Sequence, residues 1–126
     1  MLIQIFYVGI GGFVGAIARF LLYELTSKTG LNFPLATLLV NIIGSALLGF
    51  ILYSFAPGKI VPSEYRYLVN AGLIGAFTTM GTFAAETIAL LDSGAYLMAI
   101  TNITLNVLLS LFAILGGKWA ALFIKK

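Results

Sequence analysis

The sequence predicts an all-α membrane protein with four transmembrane helices, on three observations. Hydrophobic residues make up 61% of the 126-residue chain and charged residues only 9%, against about a quarter charged in an ordinary soluble domain. Mean hydropathy is +1.10, and apolar runs recur at about 2–25, 34–55, 67–90 and 95–117, each near the ~20 residues a spanning helix needs. Polar or breaking stretches divide them: "TSKTGLNFP", "APGKIVPSEYR" and "LDSG". Four spans and short loops read as one membrane domain over 1–126, with no room for a separate soluble domain.

The run 2–25 is too long, and too polar near Arg19, for a signal peptide, and no small-residue cleavage site follows a short apolar core. It reads as a permanent span. Its small and polar residues, Gly11, Gly15, Arg19 and Tyr23, recur every four positions and so share one helix face. The run 34–55 repeats the pattern with Thr37, Asn41, Ser45 and Gly49. Gly11–Gly15 and Ser45–Gly49 are small-xxx-small patterns that let helices approach closely. The run 95–117 carries Asn102, Asn106 and Ser110 on one face. Tyr65, Tyr67, Tyr96 and Trp119 fall near span ends, where aromatic belts lie.

The run 67–90 is the unusual one. Gly72, Gly75 and Gly81 weaken a helix there, and the Thr78–Thr79 hydroxyls compete for backbone groups. A break over Gly75–Thr79 is therefore expected. Broken helices are tolerated in membranes where the freed groups bind an ion or line a cavity. Thr78, Thr82 and Glu86 form this run's polar stripe. Phe77, Met80 and Phe83 recur every three positions and would share a face if the helix resumes. An aromatic ring has a positive edge, which favours a small anion without a deep trap.

Charge and reactivity narrow the function further. The chain has no cysteine and no histidine, which excludes disulfides, thiolate metal sites and His-based acid–base chemistry. No nucleophile–base pair can be assembled around its few charges, so no enzyme is expected, and no basic run points to nucleic acid. Arg19, a cation within a span, reads either as snorkelling to the headgroups or as a positive charge at the mouth of a watery vestibule that draws in anions. Glu86, the acidic residue in a span interior, is a candidate partner for Arg19 or a pore-lining group. Lys59, Arg66, Lys118, Lys125 and Lys126 would share one side with the termini and Lys28 the other, a bias that favours cytoplasmic termini.

Three stretches resemble the signatures of the CrcB/Fluc fluoride channels: "GGFVGAIARF" at 11–20, "ATLLVNIIGSALLG" at 36–49 and "GLIGAFTTMGTF" at 72–83. The resemblance implies a passive, fluoride-selective channel in the cell inner (plasma) membrane that exports fluoride and lowers its cytoplasmic level. It implies an antiparallel, dual-topology homodimer with two pores and a structural Na⁺ at the dimer centre. It places the Na⁺ on the backbone carbonyls of Gly75 and Thr78, the pore asparagine on Asn41, the vestibule arginine on Arg19 and the pore phenylalanines on positions 80 and 83. Thr82, Glu86 and Ser110 fall on its polar track. The chain departs from the pattern at Ala76, Met80 and Gly81, where Gly, Phe and Ser are usual. Two further readings compete: a small multidrug-type exporter, which needs a carboxylate deep in the first span where this chain has Arg19, and a membrane assembly subunit that transports nothing.

Overall fold

The computed structural model describes residues 1–54 and 65–124, and every regular element among them is helical. Four helices are long and apolar enough to cross a membrane: α1 (Leu2–Ser27), α2 (Leu35–Ser54), α3 (Arg66–Asp92) and α4 (Tyr96–Ile124). Lys59, Lys125 and Lys126, on which the expected orientation leans, lie outside the described residues. Helix α4 runs to Ile124 rather than stopping near 117. Gly116–Gly117 does not end it because Gly117 is packed into α2, and the apolar run Trp119–Ile124 continues the helix.

Backbone contact at glycine holds the helices in pairs. Helix α1 buries only Gly11 and Gly15. A Cβ at Gly11 would run into the Leu68 carbonyl, and one at Gly15 into the Leu73 carbonyl. Helices α2 and α4 are joined the same way, with Gly49 on the Ile114 carbonyl and Gly117 on the Ala46 carbonyl. Lys118 Nζ lies 4.8 Å from the Tyr53 ring centroid and ties the same pair together near its end. In lipid the apolar side chains gain little by facing each other, so such close backbone approach is what selects the pairs.

Helix α3 consists of a π-wound segment over Arg66–Ile74, an α-helical turn over Gly75–Phe77 and a second α-helix over Met80–Asp92. The Gly75 N–H reaches the Asn70 carbonyl, five residues back. This wide winding coincides with a close approach to α1, where a Cβ at Gly72 would sit 2.7 Å from the Val8 carbonyl oxygen. Between the segments Thr78 (φ −76°, ψ 157°) and Thr79 (φ −150°, ψ 112°) are extended. The break is thus narrower than the expected Gly75–Thr79. Gly75 to Phe77 stay helical, and the Thr78 N–H still reaches the Ile74 carbonyl at 3.0 Å. Thr79 caps the resumed helix, its hydroxyl accepting from the Thr82 N–H at 3.2 Å.

The turn from α3 to α4 is tight. The Gly94 N–H bonds the Leu91 carbonyl and the Ala95 N–H the Leu90 carbonyl, with Gly94 at φ 78°. That is a Schellman cap, whose left-handed position suits glycine. It reverses the chain and lays the second half of α3 against α4, which brings Thr87 within reach of Asn102.

Candidate functional site

The break in α3 is held open by a side chain from another helix. The Thr79 N–H donates to Asn41 Oδ1 at 2.9 Å. Asn41 Nδ2 donates to Asn106 Oδ1 of α4 at 2.9 Å and, more weakly, to the Thr79 carbonyl at 3.3 Å. Asn106 Nδ2 donates in turn to the carbonyl and the Oδ1 of Asn102, at 3.1 and 2.9 Å. Asn102 Nδ2 donates to the Thr87 hydroxyl at 3.0 Å, and that hydroxyl to the Phe83 carbonyl at 2.7 Å. A one-directional chain of donors therefore runs from α2 through α4 back into α3. Its members are largely buried, with Asn102 at 0% exposure, so an unmatched group there would be costly.

Beside this chain lies a cleft of about 460 Å³ lined by Asn41, Ser45, Met80, Phe83, Asn106 and Ser110 among others. Phe83 is 8% exposed, whereas Met80 is 73% exposed on the outer surface of the protomer. Phe77 does not share their face. The break separates it from them, and it is buried instead close to Gly44, where an added Cβ would meet its ring at 3.3 Å.

A second cleft, of about 470 Å³, joins Arg19, Phe20, Tyr23 and Glu24 of α1 to Thr82. The Thr82 hydroxyl accepts from the hydroxyl of Thr79 at 2.9 Å, and Thr79 lines the first cleft. Glu86, one turn further, lines two smaller recesses of about 300 and 190 Å³ beneath Phe33 and Pro34. Thr37 donates to Glu86 Oε1 at 2.8 Å, and the Tyr23 hydroxyl bonds Thr37 Oγ1. A threonine hydroxyl has one proton, so with that proton on Glu86 the tyrosine must be the donor to Thr37. Glu86 Oε2 is buried and meets no donor among the described residues.

The model of the family described as CrcB-like protein, Camphor Resistance (CrcB), matches residues 6–118. A protein of Methanosarcina acetivorans named Fluoride-specific ion channel FluC 1 is 43% identical over 94% of this chain and 90% of its own. The protein named Fluoride-specific ion channel FluC in Methanocaldococcus jannaschii is 42% identical over 98% of both chains. Its namesake in Shewanella loihica is 42% identical over 91% of this chain and 93% of its own. The chain belongs to the CrcB-like family.

The CrcB-like chain, with four helices long and apolar enough to cross a membrane, is a multi-pass membrane protein, and its relatives are named as ion channels rather than as enzymes. Of the expected pathway residues, Asn41, Met80, Phe83 and Ser110 share the first cleft, and Arg19 and Thr82 the second. Glu86 stands apart from both. Among the described residues its partner is Thr37 and not Arg19. Sequence reasoning put Tyr23, Thr37, Asn102 and Asn106 on polar faces without assigning them partners. It passed over Thr87, which lies off the Thr78–Thr82–Glu86 stripe. The recurrence of polar residues every four positions on all four spans was the signal that these faces meet one another.

The Gly75 and Thr78 carbonyls fit an alkali cation. The donor that would ordinarily reach Gly75 O, the Thr79 N–H, is taken by Asn41, and the one for Thr78 O, the Thr82 N–H, is taken by the Thr79 hydroxyl. Both oxygens are thereby released from the helical ladder. Gly75 is exposed, and a Cβ there would meet only the Asn70 carbonyl oxygen, at 3.6 Å.

Proposed function

We infer that this chain is a passive, fluoride-selective channel of the inner (plasma) membrane that lets fluoride leave the cell. The observation that carries the reading is the Asn41 latch on the broken helix, set in one cleft with Phe83 and Ser110. Fluoride is small and holds its hydration shell tightly, so a pathway must replace that shell with donors. Amide, hydroxyl and ring-edge groups of Asn41, Ser110, Thr82 and Phe83 offer them. Arg19 raises the local anion concentration at the second cleft, whose Thr82 is hydrogen-bonded to Thr79 of the first. The names of the relatives give the anion its identity. A proton-coupled drug exporter has no support here, since the acid of α1, Glu24, is exposed near the helix end.

The working unit of this reading is an antiparallel homodimer. One protomer leaves the first cleft open beside an exposed Met80, and Gly75 is exposed. A second copy would close the cleft and bring two breaks together. The Gly75 and Thr78 carbonyls of both copies would then hold a Na⁺, a hard-oxygen set without carboxylates that suits a monovalent ion. When bound, the ion supplies fixed positive charge and pins the breaks. Two measurements test this. Fluoride-electrode recordings on reconstituted liposomes should show fluoride efflux without chloride efflux, and comparable chloride flux would overturn the function. Retention of ²²Na⁺ by purified protein should reach one ion per two chains. A chain that binds none, or elutes as a monomer while conducting, would overturn the assembly.

A further inference from the structure

Both N–H groups of Asn41 are already used. One goes to Asn106 Oδ1 and the other to the Thr79 carbonyl, while its own oxygen holds the Thr79 N–H. The orientation of these amides is not open to choice, because backbone groups of fixed polarity pin both ends of the chain. The Thr79 N–H can only donate, so Asn41 must turn its oxygen to Thr79 and its nitrogen to Asn106. The Asn102 carbonyl can only accept, so Asn106 must turn its nitrogen there and its oxygen to Asn41. Toward the cleft Asn106 therefore presents an acceptor, which is what a bound anion would be.

We propose that Asn106 is an internal competitor for the anion site: its Oδ1 occupies the Asn41 amide until fluoride displaces it, and so sets the apparent fluoride affinity. The proposal rests on the channel reading above and adds a residue that tunes it. Entry of the ion exchanges one hydrogen bond. The Asn41 N–H leaves Asn106 Oδ1 for fluoride, with no proton transferred. Asn106 cannot instead turn its own N–H to the ion without giving up both bonds to Asn102. Displacement leaves its oxygen without a donor, and that cost subtracts from anion binding. It also loosens the chain that ends on the Phe83 carbonyl through Asn102 and Thr87, so occupancy at Asn41 is felt at the neighbouring ring.

The test is the fluoride concentration giving half-maximal current in planar bilayers. Asn106→Ala removes the competitor and should lower that concentration by about 2- to 10-fold, the worth of one net hydrogen bond. Asn106→Ser is too short to reach Asn41 and should shift it the same way. Loss of packing reduces the number of active channels but does not tighten anion binding, so a structural role alone would not produce this shift. A half-saturating concentration that is unchanged or raised in variants with normal elution would overturn the proposal. Should neither variant fold, fluoride titration of the unmodified protein reads it by NMR. The side-chain amide signals of Asn41 and Asn106 should move together, and movement of Asn41 alone would overturn it. Absence of any fluoride current in the unmodified protein would count against the channel reading instead.

Discussion

Replacing Asn41 by leucine, close to it in shape, should both weaken the protein and close the break in α3. The Thr79 N–H would lose its 2.9 Å acceptor, and a stranded buried donor costs about 1–3 kcal/mol. The Asn41–Asn106 pair would go as well, worth about 0.6 kcal/mol for an average hydrogen bond between membrane helices. The expected loss is about 2–4 kcal/mol. The stranded N–H has one local remedy, which is to return to the Gly75 carbonyl by rewinding Thr78 and Thr79 into the helix. That would remove one of the two freed oxygens. Hydrogen–deuterium exchange at Thr79, melting in detergent and fluoride efflux together report the outcome. Thr79 exchange should change, the melting temperature should fall and fluoride flux should be lost. Unchanged Thr79 exchange with unchanged melting would refute the latch, because the amide would then have a partner other than Asn41.

Other substitutions test the remaining contacts. Phe83→Ile should leave elution unchanged and abolish most fluoride flux, since it removes the ring edge from a buried position, whereas Met80→Phe, at an exposed position, should retain or raise flux. Equal flux in Phe83→Ile would show that the ring only packs. Gly117→Ala should cost about 1–3 kcal/mol in melting, the range for overpacking, because its Cβ would overlap the Ala46 carbonyl and lie 2.7 Å from the Phe50 nitrogen. The adjacent Gly116→Ala, with nothing within 4 Å, should be tolerated, and equal melting of the two would count against the α2–α4 pairing. Thr37→Val should be more damaging to melting than Tyr23→Phe, because it strands both a tyrosine hydroxyl and Glu86 Oε1. A cysteine at Lys28 should be labelled from both faces of the membrane if insertion is of mixed topology, and labelling from one face alone would contradict the antiparallel dimer.

The sequence by itself determined the four spans. In lipid a backbone must satisfy its own hydrogen bonds, so long apolar runs have few alternatives to helix. It determined the small faces too: Gly11, Gly15 and Gly49 sit where their spacing put them, under another helix's carbonyl. Gly75 and the Thr78–Thr79 pair made a break in α3 expected, because local propensity and competing hydroxyls are properties of neighbouring residues. Tertiary structure decided the rest, since each undecided group takes a partner far away in the chain. Whether Thr79 rewinds or stays extended depends on Asn41, 38 residues away, and which way Asn41 turns depends on Asn106, 65 residues away. The π winding of Arg66–Ile74 coincides with the approach of α1 at Gly72. Glu86 is committed to Thr37 rather than Arg19 because packing brings the start of α2 against the second half of α3. A polar stripe shows that a helix face needs partners. Only the packed helices settle which donor meets which acceptor, because an amide or hydroxyl in lipid takes the nearest complementary group that the fold delivers.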